Sequence, residues 1–238
     1  TLRGSNILLV EDNVTNQEIT LGLLEHSKIN IDIANNGKEG VNQYLENSDK
    51  YELILLDIQM PVMDGYEACE IIREKDKDIP IIALTANAMF EDKQKTKEAG
   101  FNEHIDKPID VDKLYNILLQ HISKKEDVFV EENTNSSNIN TDIETKYINR
   151  DIGLTYLNNS LKLYEKILEN FYRDFKDLKL EKLSGEEKEI KVHSLKGLSA
   201  NIGAVNLSKI AQEYENSKLE DKTLFEELKG ELKAVINE

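Results

Sequence analysis

Three acids, a hydroxyl and an ammonium stand at the ends of short apolar runs in the first half of the chain. "NILLV" runs into Glu11 and Asp12. "ELILLD" ends on Asp57, "IPIIALT" on Thr85, and "EHID" is followed at once by Lys107. Carboxylates gathered in one place repel one another unless a cation sits among them. A hard divalent ion such as Mg²⁺ takes oxygen ligands and keeps some of its waters. A hydroxyl and a long-stemmed ammonium beside such an ion suit a phosphoryl group, whose transfer needs positioning and charge neutralisation more than covalent help. On this reading Asp57 is the nucleophile that forms an acyl phosphate. Mg²⁺ and Lys107 neutralise the moving oxygens, and Thr85 hydrogen-bonds one of them. Any one of these residues alone reads as an ordinary polar strand end; five of them in order are a site.

A second group lies far along the chain, in "HSLKG", within a run that otherwise reads as one amphipathic helix. A glycine inside a helix costs about 1 kcal/mol relative to alanine. Residues three and four apart share a helix face, so Lys196 and Gly197 flank His193. If the imidazole must reach a phosphoryl group in another cleft, Gly197 removes the side chain that would block it. Lys196 then offsets phosphate charge as a point cation. Ser194, Ser199 and Ala200 keep the surroundings small. The plain alternative is a surface histidine beside an unrelated glycine, and the acid cluster upstream weighs against it. His26 and His121 fall near helix ends without acidic or cysteine partners at ligand spacing, and read as structural or exposed. No P-loop and no clustered Cys/His metal motif appears.

These residues need elements to place them. Short apolar runs over 6–10, 29–34, 52–57, 79–85 and, more weakly, 103–106 read as strands. Helix-period stretches over 15–27, 38–47, 66–74, 90–99 and 111–122 alternate with them. Near-continuous apolar strands between helices predict an α/β doubly wound, five-stranded parallel sheet covered on both faces, with its site at the carboxyl ends of the strands. Residues 123–145, rich in Asn, Ser, Thr and Glu, read as a flexible polar linker, in which "VFV" at 128–130 could make a transient contact. Beyond it strand signals vanish. Helices are expected over 161–178, from "SGEE" (a capping box at Ser184 and Glu187) to a C-terminal cap at Gly203, over 206–218 and over 222–236. Together they form an all-α antiparallel bundle. The domains are thus 5–122, 123–145 and 146–238.

The 238 residues carry 46 acidic against 30 basic side chains, a formal net charge of −16. That argues against nucleic-acid or anionic-membrane binding driven by bulk charge. A lone cysteine, Cys69, excludes an internal disulfide framework, fits a reducing compartment, and reads as a small buried hydrophobe. No apolar run is long enough to span a bilayer and no signal peptide is visible, so a cytoplasmic location is expected, which leaves room for a membrane anchor elsewhere in the parent. The chain opens on Thr1 and reads as a piece of something longer.

The stretches "NILLVEDNVTNQEI", "LLDIQMPVMDGYEA", "IIALTANAM" and "HIDKP" resemble the receiver domain of bacterial response regulators, a flavodoxin-like fold, in the form attached to hybrid sensor histidine kinases. The resemblance implies Asp57 as phosphoacceptor, Asp12 as a direct Mg²⁺ ligand, Glu11 as a ligand often acting through water, and the backbone carbonyl of Gln59 as a further ligand. It also implies a cis Lys107–Pro108 bond. His104 departs from the aromatic switch residue usual three positions before the lysine. "HSLKGLSANIGA" resembles the histidine-containing phosphotransfer (HPt) domain, a bundle with an exposed acceptor histidine. His193 then takes the acceptor role, Lys196 the neutralising role and Gly197 the clearance role. The two together imply a two-component phosphorelay module in which phosphate moves between Asp57 and His193. The implied partners are a histidine kinase domain upstream, in the same parent chain, and a separate response regulator receiver downstream. Self-phosphorylation of the receiver is the only catalysis expected; the chain is not itself a kinase. A regulatory binding module switched at Asp57, and a phosphate sink draining His193, are the rival readings. A transcription factor is disfavoured by charge and by the helical bundle.

Overall fold

The computed structural model describes residues 2–85, 90–122 and 146–238, with the backbone alone for 90–94. The expected linker, its "VFV" and the "ANAM" segment at 86–89 lie outside the described residues. The first half alternates β1 (Asn6–Val10), α1 (Val14–Leu24), β2 (Asn30–Ala34), α2 (Gly37–Glu46), β3 (Leu53–Asp57), α3 (Gly65–Lys75), β4 (Ile81–Thr85), α4 (Phe90–Ala99), β5 (Glu103–Asp106) and α5 (Val111–Ile122). All pairings are parallel, in the order β2-β1-β3-β4-β5. The order reverses between β1 and β3, and a crevice opens at the carboxyl ends of such neighbours.

Burial explains the run-like strands. Every residue of β3 and β4 is buried, because helices cover both faces. One face packs Ile7 and Leu9 with Ile19 and Leu23 of α1 and Leu114 and Leu118 of α5. The other packs Leu8 and Val10 with Val41 and Tyr44 of α2 and Cys69 and Ile72 of α3. Cys69 is fully buried and its thiol is pushed up to about 11 by burial, as suits a core residue.

The second half holds α6 (Arg150–Tyr156), α7 (Leu161–Phe175), α8 (Gly185–Asn201), α9 (Val205–Asn216) and α10 (Lys222–Ile236). On α7, Tyr164, Ile167, Phe171 and Phe175 form the buried stripe that the helical period predicts. The short α6 is absent from the sequence-based expectation. Its N-cap, Asn149, donates its backbone N–H to Gly203 O at 2.9 Å. Gly203 ends α8 with φ +82°, and a Cβ there would lie 1.9 Å from Asn149 O, so the expected glycine cap also docks α6. The expected capping box does not form: Ser184 is the N-cap but its side chain makes no cap bond. Gly185 beside it has φ +54°, and that left-handed turn carries the hydroxyl off the first amides.

The bundle packs on the first half. Helix α1 meets α7, and apolar packing is continuous from the α1/α5 face into the bundle. A Cβ on Gly22 of α1 would stand 2.7 Å from Leu163 Cδ2. Asn170, buried on α7, donates to Glu18 Oε2 of α1 at 2.7 Å, and Lys166 pairs with Glu18 at 3.1 Å.

Candidate functional site

Register brings the acids together. Val10 of β1 lies opposite Leu56 of β3, so the next residues, Glu11 and Asp57, face each other where the sheet ends. Ligand atoms of Glu11, Asp12 and Asp57 lie within 4.8 Å of one another. From β5, Lys107 sends its ammonium to Glu11 Oε2 and Asp57 Oδ2, each at 2.7 Å. Its backbone N–H donates to Thr85 O at 2.7 Å, which ties the lysine to the end of β4, where Thr85 is buried. The Lys107–Pro108 bond is cis. The backbone N–H of Gln59 approaches Asp57 Oδ1 at 3.4 Å. His104 is half-buried.

Three carboxylates against one ammonium leave two negative charges uncompensated. Burial works to raise Glu11, but the Lys107 ammonium prevails and holds it below its ordinary value. Burial pushes Asp57 well up, and the charge of Glu11 adds to it. Asp12 is raised to about 6 by burial and by Glu11. The surplus is what one divalent cation neutralises, and an all-oxygen, acid-rich donor set is what Mg²⁺ prefers. The residues therefore fit the ion. Both oxygens of Glu11 are already engaged, Oε2 by Lys107 and Oε1 by Asn16 Nδ2 at 3.0 Å. Asp12 is the more open acid.

Sequence reasoning missed the groups that hold Glu11. Besides Asn16, the backbone of Asn13 donates to Glu11 Oε1 at 3.2 Å, and Gln17 Nε2 donates to Glu11 O at 2.6 Å. The signal was present as the polar run "NVTNQ" opening α1.

The second group is more enclosed than its sequence suggests. His193 is 8% exposed and Lys196 4%, which corrects the expected exposed imidazole. From Val192 to Asn201 helix α8 is buried on nearly every side, because α9, α6 and α7 pack on it and its end at Asn201 meets the acid cleft. Glu215 of α9 organises the pair: Oε1 meets His193 Nδ1 at 2.8 Å, and Oε2 accepts from the Lys196 ammonium. Burial lowers the His193 pKa and outweighs Glu215, with the Lys196 and Lys107 charges acting in the same direction. The ring is therefore neutral at pH 7. The carboxylate on Nδ1 selects the tautomer that leaves the Nε2 lone pair free. Glu215 was not singled out in the sequence, where it is one acid among 46. Gly197 has an ordinary helical backbone, and a Cβ added to it would meet nothing within 4 Å. The chain's own packing does not demand a glycine there. Elsewhere His26 is exposed, while His121 is half-buried with Nε2 unpartnered.

Comparison with known proteins places this cleft in a class. Residues 7–119 match the response regulator receiver domain family, and that stretch is a receiver domain of two-component phosphorelay signalling, of the kind found in hybrid histidine kinases. Its cofactor is Mg²⁺. The chain is 40% identical over 146 residues to hybrid signal transduction histidine kinase I of Dictyostelium discoideum, covering 58% of this chain and 8% of that protein. It is 36% identical over 117 residues to the signal transduction histidine-protein kinase BarA of Escherichia coli K12, covering 48% and 12%. The chain thus spans about an eighth or less of the length of these relatives. Among solved structures it is similar to the receiver domain of sensor histidine kinase PA1611 from Pseudomonas aeruginosa, with magnesium coordinated in its cleft. That match has 36% identity and a TM-score of 0.47, and covers 51% of this chain and 99% of the other. Among the described residues no helix is long and apolar enough to cross a membrane.

Proposed function

We propose that the chain is a phosphorelay module in which residues 5–122 receive phosphate on Asp57 and residues 146–238, an HPt bundle, exchange it with His193. The observation that carries this reading is the apposition of two complementary groups. The end of α8 meets the metal-fitting acid cleft: Asn201, two turns along the helix from His193, lines one small void with Glu11 and Lys107.

Glu11, Asp12, Asp57 and the Gln59 carbonyl would hold Mg²⁺, which supplies charge neutralisation to the phosphoryl oxygens. Lys107 neutralises a further oxygen, and the Thr85 hydroxyl donates to one. In the transfer to the bundle, the His193 Nε2 lone pair forms a P–N bond. The P–O bond to Asp57 breaks, and its electron pair stays on the carboxylate. The ring keeps its Nδ1 proton against Glu215, whose negative charge stabilises the cationic phosphoimidazole. Lys196 is released in part from Glu215 as the phosphoryl group arrives. Gly197 keeps the approach clear. A histidine kinase domain of the parent would supply phosphate, and the receiver of a separate response regulator would take it from His193, in the cytoplasm.

The test is a time course with a small-molecule acyl phosphate and Mg²⁺, separating acyl phosphate from acid-labile phosphohistidine. Phosphohistidine is expected in the intact chain, and neither in Asp57→Ala nor in His193→Ala. Labelling confined to Asp57 would sink the relay.

A further inference from the structure

A small polar void lies where the bundle meets the receiver cleft. It measures about 10 Å³, and its polar lining is Glu11, Asn16, Thr20, Lys107 and Asn201. The bundle contributes Asn201 alone; every other lining residue falls between 11 and 109. Asn201 is 4% exposed. Its Nδ2 donates back to Gly197 O at 3.1 Å within α8, while its Oδ1 is buried without a hydrogen-bond partner. Buried acceptors are rarely left so.

The side-chain donors lining the void can be counted. The Thr20 hydroxyl gives its proton to Asn16 O at 3.1 Å. Asn16 Nδ2 gives one of its two to Glu11. The Lys107 ammonium has three N–H groups, and the bonds to Glu11 and Asp57 use two. A third N–H of Lys107, on an ammonium anchored to Asp57, is therefore the strongest donor bordering the void.

We propose that Asn201 is a positioning residue of the relay: its Oδ1 and the third N–H of Lys107 hold one bridging water in this void, and that bridge fixes the register in which α8 faces Asp57. The inference rests on the relay reading and deepens it. Lys107 is held by Asp57, and His193 lies two turns back from Asn201 on the same rigid helix. A water bridge between Lys107 and Asn201 therefore sets the imidazole relative to the acyl phosphate, and a bridging water is nearly as good a link as a direct hydrogen bond.

The experiment uses the full chain, charged with a small-molecule acyl phosphate in Mg²⁺, and reads the rate of phosphohistidine formation. Asn201→Ala removes both amide functions. Asn201→Ser keeps a hydroxyl that bonds back to the Gly197 carbonyl but no longer reaches the void. Both variants are expected to slow transfer about tenfold, the worth of one hydrogen-bonded bridge. Both should also move the backbone amide resonances of Asn16 and Lys107 in the receiver. Wild-type transfer in Asn201→Ser, or resonance changes confined to the bundle, would overturn the inference. If the wild-type chain forms acyl phosphate but no phosphohistidine, the relay itself fails. The Asn16 and Lys107 resonances then decide alone whether the contact exists, and their failure to move overturns it.

Discussion

The acid cleft and the His193 group are built from the same parts and balanced in opposite ways. Each sets a lysine against a carboxylate beside the residue that would carry phosphate. In the cleft, burial and the surplus of acids over the one cation together hold Asp57 and Asp12 high. Around His193 one lysine meets one glutamate, the ring is neutral, and the charges close. The first arrangement needs an outside cation and can use it to draw in phosphate. The second needs nothing and is suited to accept and release.

The largest expected effect follows from that difference. Chelating the metal should reduce Asp57 labelling by an acyl phosphate about a thousandfold, since a Lewis-acid metal supplies several kcal/mol of charge stabilisation. Direct labelling of His193 by phosphoramidate should change less than about twofold, because metal chemistry has no place in that group. Equal losses at both residues would break the comparison.

The two groups were not equally legible in the sequence. The cleft could be read because each of its members ends a strand, and a parallel sheet brings strand ends to one edge whatever else the chain does. The central strands were found for a related reason: apolar runs buried along their whole length leave a strong local signal, whereas the partly buried edge strand β5 left a weaker one. The His193 group was half legible. Helical spacing gives Lys196 and Gly197, but Glu215 comes from the next helix, and only packing of α9 on α8 selects it from the other acids. The enclosure of α8 was missed because it depends on neighbours distant in sequence, α6, α7 and α9, which no helical period can report. The capping box failed at Ser184 because one dihedral, that of Gly185, overrode a four-residue pattern.

Glu215 sharpens the comparison next. Glu215→Ala would leave Lys196 buried without its counter-charge, a loss of about 3 kcal/mol, readable as a lower urea midpoint at unchanged slope. The pH dependence should carry the same mark. Burial acts to raise Glu215, yet the hydrogen bonds and charges of His193 and Lys196 hold it down to about 2. Its folded value lies below the unfolded one, so its contribution is present above about pH 4.5 and lost as pH falls through 2. With its side chain 20% exposed, that loss is on the order of 2 kcal/mol. Asp12 in the metal-free protein has the opposite sign: raised to about 6, it favours the fold at low pH, and that contribution is lost as pH rises through 6. Glu215→Gln should shrink the acid step by that amount, the remainder belonging to other depressed acids such as Glu11. An acid step of unchanged size would mean that Glu215 is not the carboxylate that balances this group.

Gly197 gives the smallest and most discriminating effect. A Cβ there meets nothing within 4 Å, and alanine is the better helix former by about 1 kcal/mol. Gly197→Ala should therefore raise the stability of the chain by up to about 1 kcal/mol. Gly197 is buried in this structure, so a second phosphate-carrying cleft reaches it only once α8 is uncovered, and a glycine there then leaves the approach open. The same substitution should then slow transfer from phosphorylated His193 to a separate receiver. A stabilised variant that transfers at the wild-type rate would remove the clearance role from Gly197 and leave Glu215 and Lys196 to account for the group by themselves.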